Sequence, residues 1–258
     1  MRLANKTAFI TGGNSGIGLA TAKLFVAAGA RVVITGRNPE TLAAAATELG
    51  TNALAIAADV TDLAALDGAV AQAVQKFGAL DIVFANAGIG AASPVGKTSL
   101  EAFEKIIRTN LTSVFFTVQS TVPHLNDGAS IILNGSVHAV LGVPGWSAYA
   151  ATKAGVRAMV RNLAAELASR RIRVNQVTPG ATRTPIWDGV APSAEALAKL
   201  ESSVSRGIPL ARMGEADEVA QAVLFLASDE SSNITATEIV VDGGTTGAPS
   251  GAPIYLAT

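Results

Sequence analysis

Thr7-Ala-Phe-Ile-Thr11-Gly12-Gly-Asn14-Ser15-Gly16-Ile17-Gly18, continued by Leu19-Ala-Thr-Ala-Lys-Leu-Phe-Val-Ala-Ala28-Gly29, is the stretch whose reading decides the fold. Thr7–Thr11 is a short apolar run of strand length. An apolar segment at helical spacing follows from Leu19 to Ala28 and is closed by Gly29. Between them lies a turn with three glycines in Gly-x3-Gly-x-Gly spacing. Strand, glycine-rich turn and helix are the context a dinucleotide site requires. Glycines let the backbone turn tightly and approach a pyrophosphate, while the helix N-terminus offers free N–H groups and a positive dipole end. The alternative is a plain strand-to-helix turn.

The same alternation continues outward. Arg31–Thr35 reads as a second strand, Pro39–Leu49 as a helix stopped by Gly50, and Ala53–Ala57 as a third strand. Asp62 caps a helix running to Phe77, and Asp81–Ala85 is a fourth strand. Ala91–Thr98 is a loop, and helical patterning runs from Ser99 past Asn110 to Val122-Pro123. Ala129–Leu133 reads as a buried strand, Ser147–Ser169 as a helix and Ile172–Val177 as a strand turned by Thr178-Pro179-Gly180. After these come a helix over Glu215–Ser228, a last strand over Glu238–Asp242 and an irregular tail. Strands alternating with helices predict a single Rossmann-like α/β domain over 1–258: a doubly wound parallel sheet with right-handed crossovers and helices on both faces. The less regular stretch 186–208, with Trp187 and Pro192, reads as a lid over a pocket.

Composition narrows the function classes. The chain has 258 residues, 49% hydrophobic and 15% charged, with a formal net charge of -1. That supplies a substantial core and no basic tract for nucleic acid. There is no Cys and there are two His, His124 and His138, so neither a disulfide framework nor a zinc cluster is expected. The N-terminus lacks a signal-peptide core, and no apolar run approaches a membrane span. A cytoplasmic protein with a small-molecule partner, not a membrane or nucleic acid, is the expectation. Asn110-Leu-Thr and Asn233-Ile-Thr match a glycosylation pattern and are read as chance.

Strand ends carry the site in such sheets. After the second strand stand Gly36-Arg37-Asn38-Pro39, with no acidic residue to bind a ribose 2′-hydroxyl. Arg37 suits a 2′-phosphate, because a guanidinium fits phosphate in a bidentate way, and Asn38 adds a neutral donor; a solvated loop Arg is the other reading. Ser136-Val-His-Ala-Val-Leu-Gly-Val-Pro-Gly-Trp-Ser-Ala-Tyr149-Ala-Ala-Thr-Lys153 brings chemistry to the far half. Tyr149 and Lys153 are one helical turn apart and share a face. A cation beside a phenol pulls its pKa of about 10 toward neutrality, where acid/base catalysis is efficient. A hydroxyl at Ser136 is placed to hold a carbonyl oxygen. Asn110 inside an apolar helix is either a satisfied surface amide or a group that kinks the helix and holds water.

These residues together resemble the short-chain dehydrogenase/reductase family. Thr11-Gly12-x3-Gly16-x-Gly18, Asn86-Ala87-Gly88, Asn110, Ser136, Tyr149-x3-Lys153 and Pro179-Gly180 occur in family order from Thr11 to Gly244. The resemblance implies that Tyr149 is the general acid/base, that Lys153 lowers its pKa and binds the nicotinamide ribose, that Ser136 orients the substrate and that Asn110 holds a relay water. It implies further cofactor contacts from Asp59, Val60 and Asn86 near the adenine, and from Thr182 and Thr184 after Pro179-Gly180. A looser similarity is to bacterial ketone-reducing secondary-alcohol dehydrogenases. Two departures stand out: Gly135 where Ser is usual, and His138 where a small residue is common. His138 either lines the substrate pocket, with Trp187, or faces away. The expected function is NADP(H)-dependent interconversion of ketones and secondary alcohols in a homotetramer. An NAD-dependent sugar or steroid dehydrogenase is the alternative, and a non-catalytic nucleotide-sensing module a third.

Overall fold

β1 (Thr7–Thr11) is buried throughout, and β2 (Arg31–Gly36) is buried from Val32 onward. Successive side chains on a strand point to opposite faces, so two hydrophobic cores form. Phe9, Val33, Val83, Ile131 and Leu133 enter one core; Ile10, Val32, Ile34, Phe84 and Ile132 enter the other. Each buried Phe contributes about 1.5–3 kcal/mol relative to leaving it exposed; Phe9, Phe25 and Phe84 are fully buried. The computed structural model describes residues 1–256. The last two residues of the expected domain, 257 and 258, lie outside the described residues.

The remaining strands are β3 (Ala53–Ala57), β4 (Leu80–Ala85), β5 (Leu125–Asn134), β6 (Arg173–Pro179), a short β7 (Thr182–Arg183) paired with β8 (Gly214–Glu215), and β9 (Glu238–Val241). Seven strands form one parallel sheet in the order β3-β2-β1-β4-β5-β6-β9. α1 (Gly16–Ala27) and α2 (Pro39–Leu49) cover one face. α3 (Leu63–Phe77), α4 (Leu100–Ile107), α5 (Ser113–Thr121) and α6 (Ser147–Leu167) belong to the other. α7 (Ala194–Ser205) lies in the 186–208 stretch, α8 (Ala216–Ala227) joins α1, and α9 (Pro253–Leu256) closes the described chain. The chain is an α/β, Rossmann-like, doubly wound sheet. Its order reverses between β1 and β4, and a crevice opens outside the carboxyl ends of the strands there.

Several expected boundaries move, each for a physical reason. α1 begins at Gly16, because Ser15 is extended (φ -160°, ψ 168°) and the last two glycines enter the first helical turn. The expected helix from Ser99 to Val122 is two helices joined by a widened π turn over Arg108–Thr112. Single π turns inside α-helices are frequent at functional sites, and this one contains the buried Asn110. β5 starts at Leu125 and not Ala129, through an irregular register with β4. β6 runs through Pro179, so Thr178-Pro179 ends a strand and does not turn the chain. The 186–208 stretch holds a full helix, α7, N-capped by Ser193, whose hydroxyl accepts from the Ala196 N–H.

Candidate active site

The carboxyl ends of β1, β4, β5 and β6 meet one cleft of about 1400 Å³. That exceeds the ~300–1,000 Å³ of an ordinary small-ligand pocket. Thr11, at the end of β1, accepts hydrogen bonds at its hydroxyl from the N–H groups of Asn86 (3.0 Å) and Ala87 (3.1 Å). Asn86 in turn donates from Nδ2 to the carbonyls of Thr11 (3.0 Å) and Gly12 (3.2 Å). The glycine turn is therefore tied to the end of β4. A Cβ on Gly18 would be driven into the Gly12 carbonyl oxygen and reach 2.6 Å from Asn86 Nδ2. Only glycine permits this closeness.

Asn134 continues the chain of contacts and was not singled out by its sequence. Its Nδ2 donates to Asn86 Oδ1 (2.9 Å), and its carbonyl accepts from Lys153 Nζ (2.8 Å). A polar residue closing the apolar run Ile131-Ile-Leu-Asn134 was the available signal. Lys153 is buried and has its pKa pushed down to about 8 by burial. Its Nζ lies 5.6 Å from the centre of the Tyr149 ring. Tyr149, in the first turn of α6, is buried too. Burial pushes its phenol upward, and the neighbouring Ser136 hydroxyl only partly offsets this. The expectation that Lys153 draws this phenol toward neutrality is reversed here. Helical spacing supplies proximity, but the desolvation cost of a buried phenolate is the larger effect.

Asn110 is fully buried, which excludes a surface amide. Its Oδ1 accepts from the Ile89 N–H and its Nδ2 donates to the Ile89 carbonyl, both at 2.8 Å. The side chain clamps the loop after β4 and does not line the cleft; these two bonds use one of its two N–H donors and one lone pair of its oxygen. Every residue expected to contact cofactor lines the cleft except Gly18, which packs beneath the turn. Ser136, His138 and Trp187 line it as well, so His138 does not face away. Trp187 donates its indole N–H to the Thr182 carbonyl (2.8 Å). Trp146, which no sequence motif marks, packs on both His138 (5.3 Å between centroids) and Tyr149 (5.5 Å). Ser93, equally unmarked by any motif, accepts from the Ala148 N–H (2.9 Å) at the start of α6.

A nicotinamide dinucleotide fits these residues. Ser15 makes no side-chain cap bond at the start of α1, so the first N–H groups of that helix have no side-chain acceptor, as an anion site at a helix N-terminus requires. At the other end Arg37 is 62% exposed and lies 3.8 Å from Asp59. Asp59 sits below the usual carboxylate range: burial opposes this, but hydrogen bonds from Thr61 and the Arg37 charge outweigh burial. Asn38 Oδ1 caps α2 by accepting from the N–H groups of Glu40 (2.8 Å) and Thr41 (3.2 Å), so only its Nδ2 remains as a donor. Among the described residues no group of three or more His, Cys, Asp or Glu could hold a metal ion, and no helix is long and apolar enough to cross a membrane.

This fold and constellation define a dinucleotide-dependent oxidoreductase, and comparison with known proteins gives the family. The enoyl-(acyl carrier protein) reductase model of short-chain dehydrogenases matches residues 12–246. The chain is 41% identical to a 3-oxoacyl-[acyl-carrier-protein] reductase of Thermotoga maritima, over 95% of this chain and 99% of that protein. It is 36% identical to an NADP-dependent (R)-specific alcohol dehydrogenase of Lentilactobacillus kefiri, over 95% and 98%. A short-chain dehydrogenase/reductase structure from Brucella melitensis superposes with a TM-score of 0.89 at 34% identity, covering 95% of this chain and 98% of that one. The chain belongs to the short-chain dehydrogenase/reductase family of oxidoreductases acting on CH-OH groups.

Proposed function

We propose that the protein is an NADP(H)-dependent oxidoreductase that interconverts ketones and secondary alcohols. The observation that carries this reading is the convergence of Ser136, Tyr149 and Lys153 on one wall of a cleft whose other end carries Arg37. The nicotinamide dinucleotide, when bound, supplies or accepts the hydride. Gly12, Gly16 and the start of α1 would hold its pyrophosphate, Asp59 and Val60 its adenine, and Pro179, Gly180, Thr182 and Thr184 its nicotinamide end. Ser136 holds the carbonyl oxygen and Tyr149 delivers the proton to it. Lys153 binds ribose hydroxyls and refills the proton, while Asn110 acts by fixing the Ile89 loop. With its pKa raised, the Tyr149 phenol is protonated at neutral pH, the form needed for reduction. The test is Tyr149→Phe. General acid/base catalysis contributes about 10²–10⁴-fold, so turnover should fall by that factor with nucleotide affinity little changed. A variant keeping a tenth of the rate would remove Tyr149 from the role.

The NAD-dependent alternative draws support from one feature, the pairing of Arg37 with Asp59, which engages the cation that a 2′-phosphate would need. A ketone and alcohol panel with both cofactors, followed by absorbance of the reduced nicotinamide, separates the two. We also propose one cytoplasmic domain in which 186–208 closes over substrate, assembled as a homotetramer. Leu100, Phe103 and Phe115 on α4 and α5 and Ile254, Tyr255 and Leu256 in the tail expose apolar side chains, which supports assembly. A monomer in light scattering at micromolar concentration would refute it.

A further inference from the structure

We propose that His138 is a specificity-determining residue that donates a hydrogen bond from Nε2 to a second, uncharged oxygen of the substrate, so that keto esters and diketones are preferred over simple ketones. This rests on the ketone-reducing reading of the same site.

His138 sits in the single turn Val137–Ala139 directly after Ser136, and its backbone N–H donates to Ser136 Oγ (3.2 Å). The imidazole and the Ser136 hydroxyl are thus carried by one rigid turn. The ring is edge-on to Tyr149, with centroids 5.2 Å apart, and Trp146 packs against it at 5.3 Å. Two aromatic neighbours fix its orientation beside the phenol.

That orientation distinguishes the two nitrogens. Nδ1 is buried and has no hydrogen-bond partner. Nε2 is not among the buried unpartnered atoms and makes no hydrogen bond within the protein, while the residue lines the cleft. Nε2 therefore faces the cleft. A neutral imidazole carries one proton, and the hydrogen bonding of each nitrogen decides where. A proton on Nδ1 would bury an unpaired donor, which native structures rarely tolerate. The proton belongs on Nε2. Protonating both nitrogens would add that orphan donor and a charge. Burial and the Lys153 charge both hold the ring below its ordinary pKa. At neutral pH the ring presents one N–H donor to the cleft and no charge.

The surroundings define what meets this donor. Leu141, Val143, Trp146 and Ile186 line the cleft with it. The other ionisable side chains lining the cleft, apart from Tyr149 and Lys153, are Arg37, Glu40 and Asp59. These follow β2 and β3, on the opposite side of β1 and β4 from β5. No carboxylate or guanidinium attends the His138 end, and the ammonium nearest it, Lys153, is buried and donates to the Asn134 carbonyl, so an anionic keto acid finds no exposed counter-charge there. An ester or ketone oxygen near the reacting carbonyl accepts from Nε2 without needing one.

The test compares ethyl acetoacetate with methyl pentyl ketone, a chain of the same length without the ester oxygens. Both are assayed with wild type, His138→Phe and His138→Gln. The readout is the ratio of kcat/KM for the two substrates, which is independent of the fraction of enzyme folded. One neutral hydrogen bond corresponds to about three- to tenfold. The ratio should fall by that factor in His138→Phe and be largely kept in His138→Gln, whose amide restores an N–H donor. An unchanged ratio in the Phe variant overturns the proposal. So does an equal loss in both variants, because ring shape and not the donor would then carry the preference. If folded wild type reduces neither ketone with either nucleotide, the ketone-reducing reading itself fails; if it reduces both and only the ratio is insensitive, the role of His138 alone is refuted.

Discussion

Replacing Arg37 by Asp is the sharpest perturbation of cofactor choice. A charge-assisted hydrogen bond in a protected site contributes about 1.5–3 kcal/mol, but Arg37 is 62% exposed and already 3.8 Å from the Asp59 carboxylate. Exposed pairs contribute about 0–1 kcal/mol. A 2′-phosphate carries close to two charges where a carboxylate carries one, so its attraction to Arg37 is roughly doubled, to about 1–2 kcal/mol. Wild type should therefore prefer NADPH by about five- to thirtyfold in kcat/KM. Arg37→Asp turns the attraction into a repulsion of similar size and should invert the preference. Both ends of this contact are wet, so the wild-type preference should shrink severalfold as ionic strength rises from about 0.02 M to about 0.5 M, where screening acts within a few ångströms. The assay is initial rate against each reduced cofactor at both salt concentrations. A wild type that prefers NADH, or an NADPH preference indifferent to salt, would show that Arg37 does not meet a phosphate.

Lys153 has a folded-state pKa of about 8 against an ordinary 10.5. The unfolded chain therefore binds more protons between those values, and this side chain's contribution to stability rises with pH across that window. The unfolding free energy of wild type minus that of Lys153→Met should climb by up to about 3 kcal/mol from pH 7 to 10; a flat difference would contradict the burial argument. Gly18→Ala should destabilise by at least about 1–3 kcal/mol and abolish nucleotide binding, because its Cβ meets the Gly12 carbonyl. Gly68→Ala, in α3 with nothing within 4 Å of the new methyl, should stabilise by about 0.5–1 kcal/mol in urea unfolding. Gly135→Ser should destabilise by about 1–3 kcal/mol through overlap with the Gln176 side chain, and adding Gln176→Ala should recover most of that loss in thermal melts.

What the sequence makes legible here is whatever local geometry forces. The glycines of the first turn, the strand-helix alternation and the Tyr149–Lys153 spacing each follow from a few consecutive residues, and each is found as expected. What it hides is set by partners far along the chain. Asn110 looks like a stray amide because its partner, Ile89, lies 21 positions away. Asn134 reads as a strand end because Asn86 is 48 away. Gly135 reads as a missing hydroxyl until the sheet register sets Gln176 opposite Leu133 and fills the space a side chain would take. The pKa of Tyr149 is the most instructive case. Spacing predicts a nearby cation and hence a lowered value; burial, which no spacing reveals, raises it. The same burial lowers Lys153 only to about 8, so both groups hold their protons near neutrality. For the proposed chemistry that bias matters more than the motif. A site with a protonated phenol and a protonated ammonium in a dry wall is set to give a proton to a carbonyl oxygen, and alcohol oxidation must first pay to remove one. The pH optimum for ketone reduction should therefore lie below that for alcohol oxidation, and coincident optima would mean that the buried phenol does not govern the proton step.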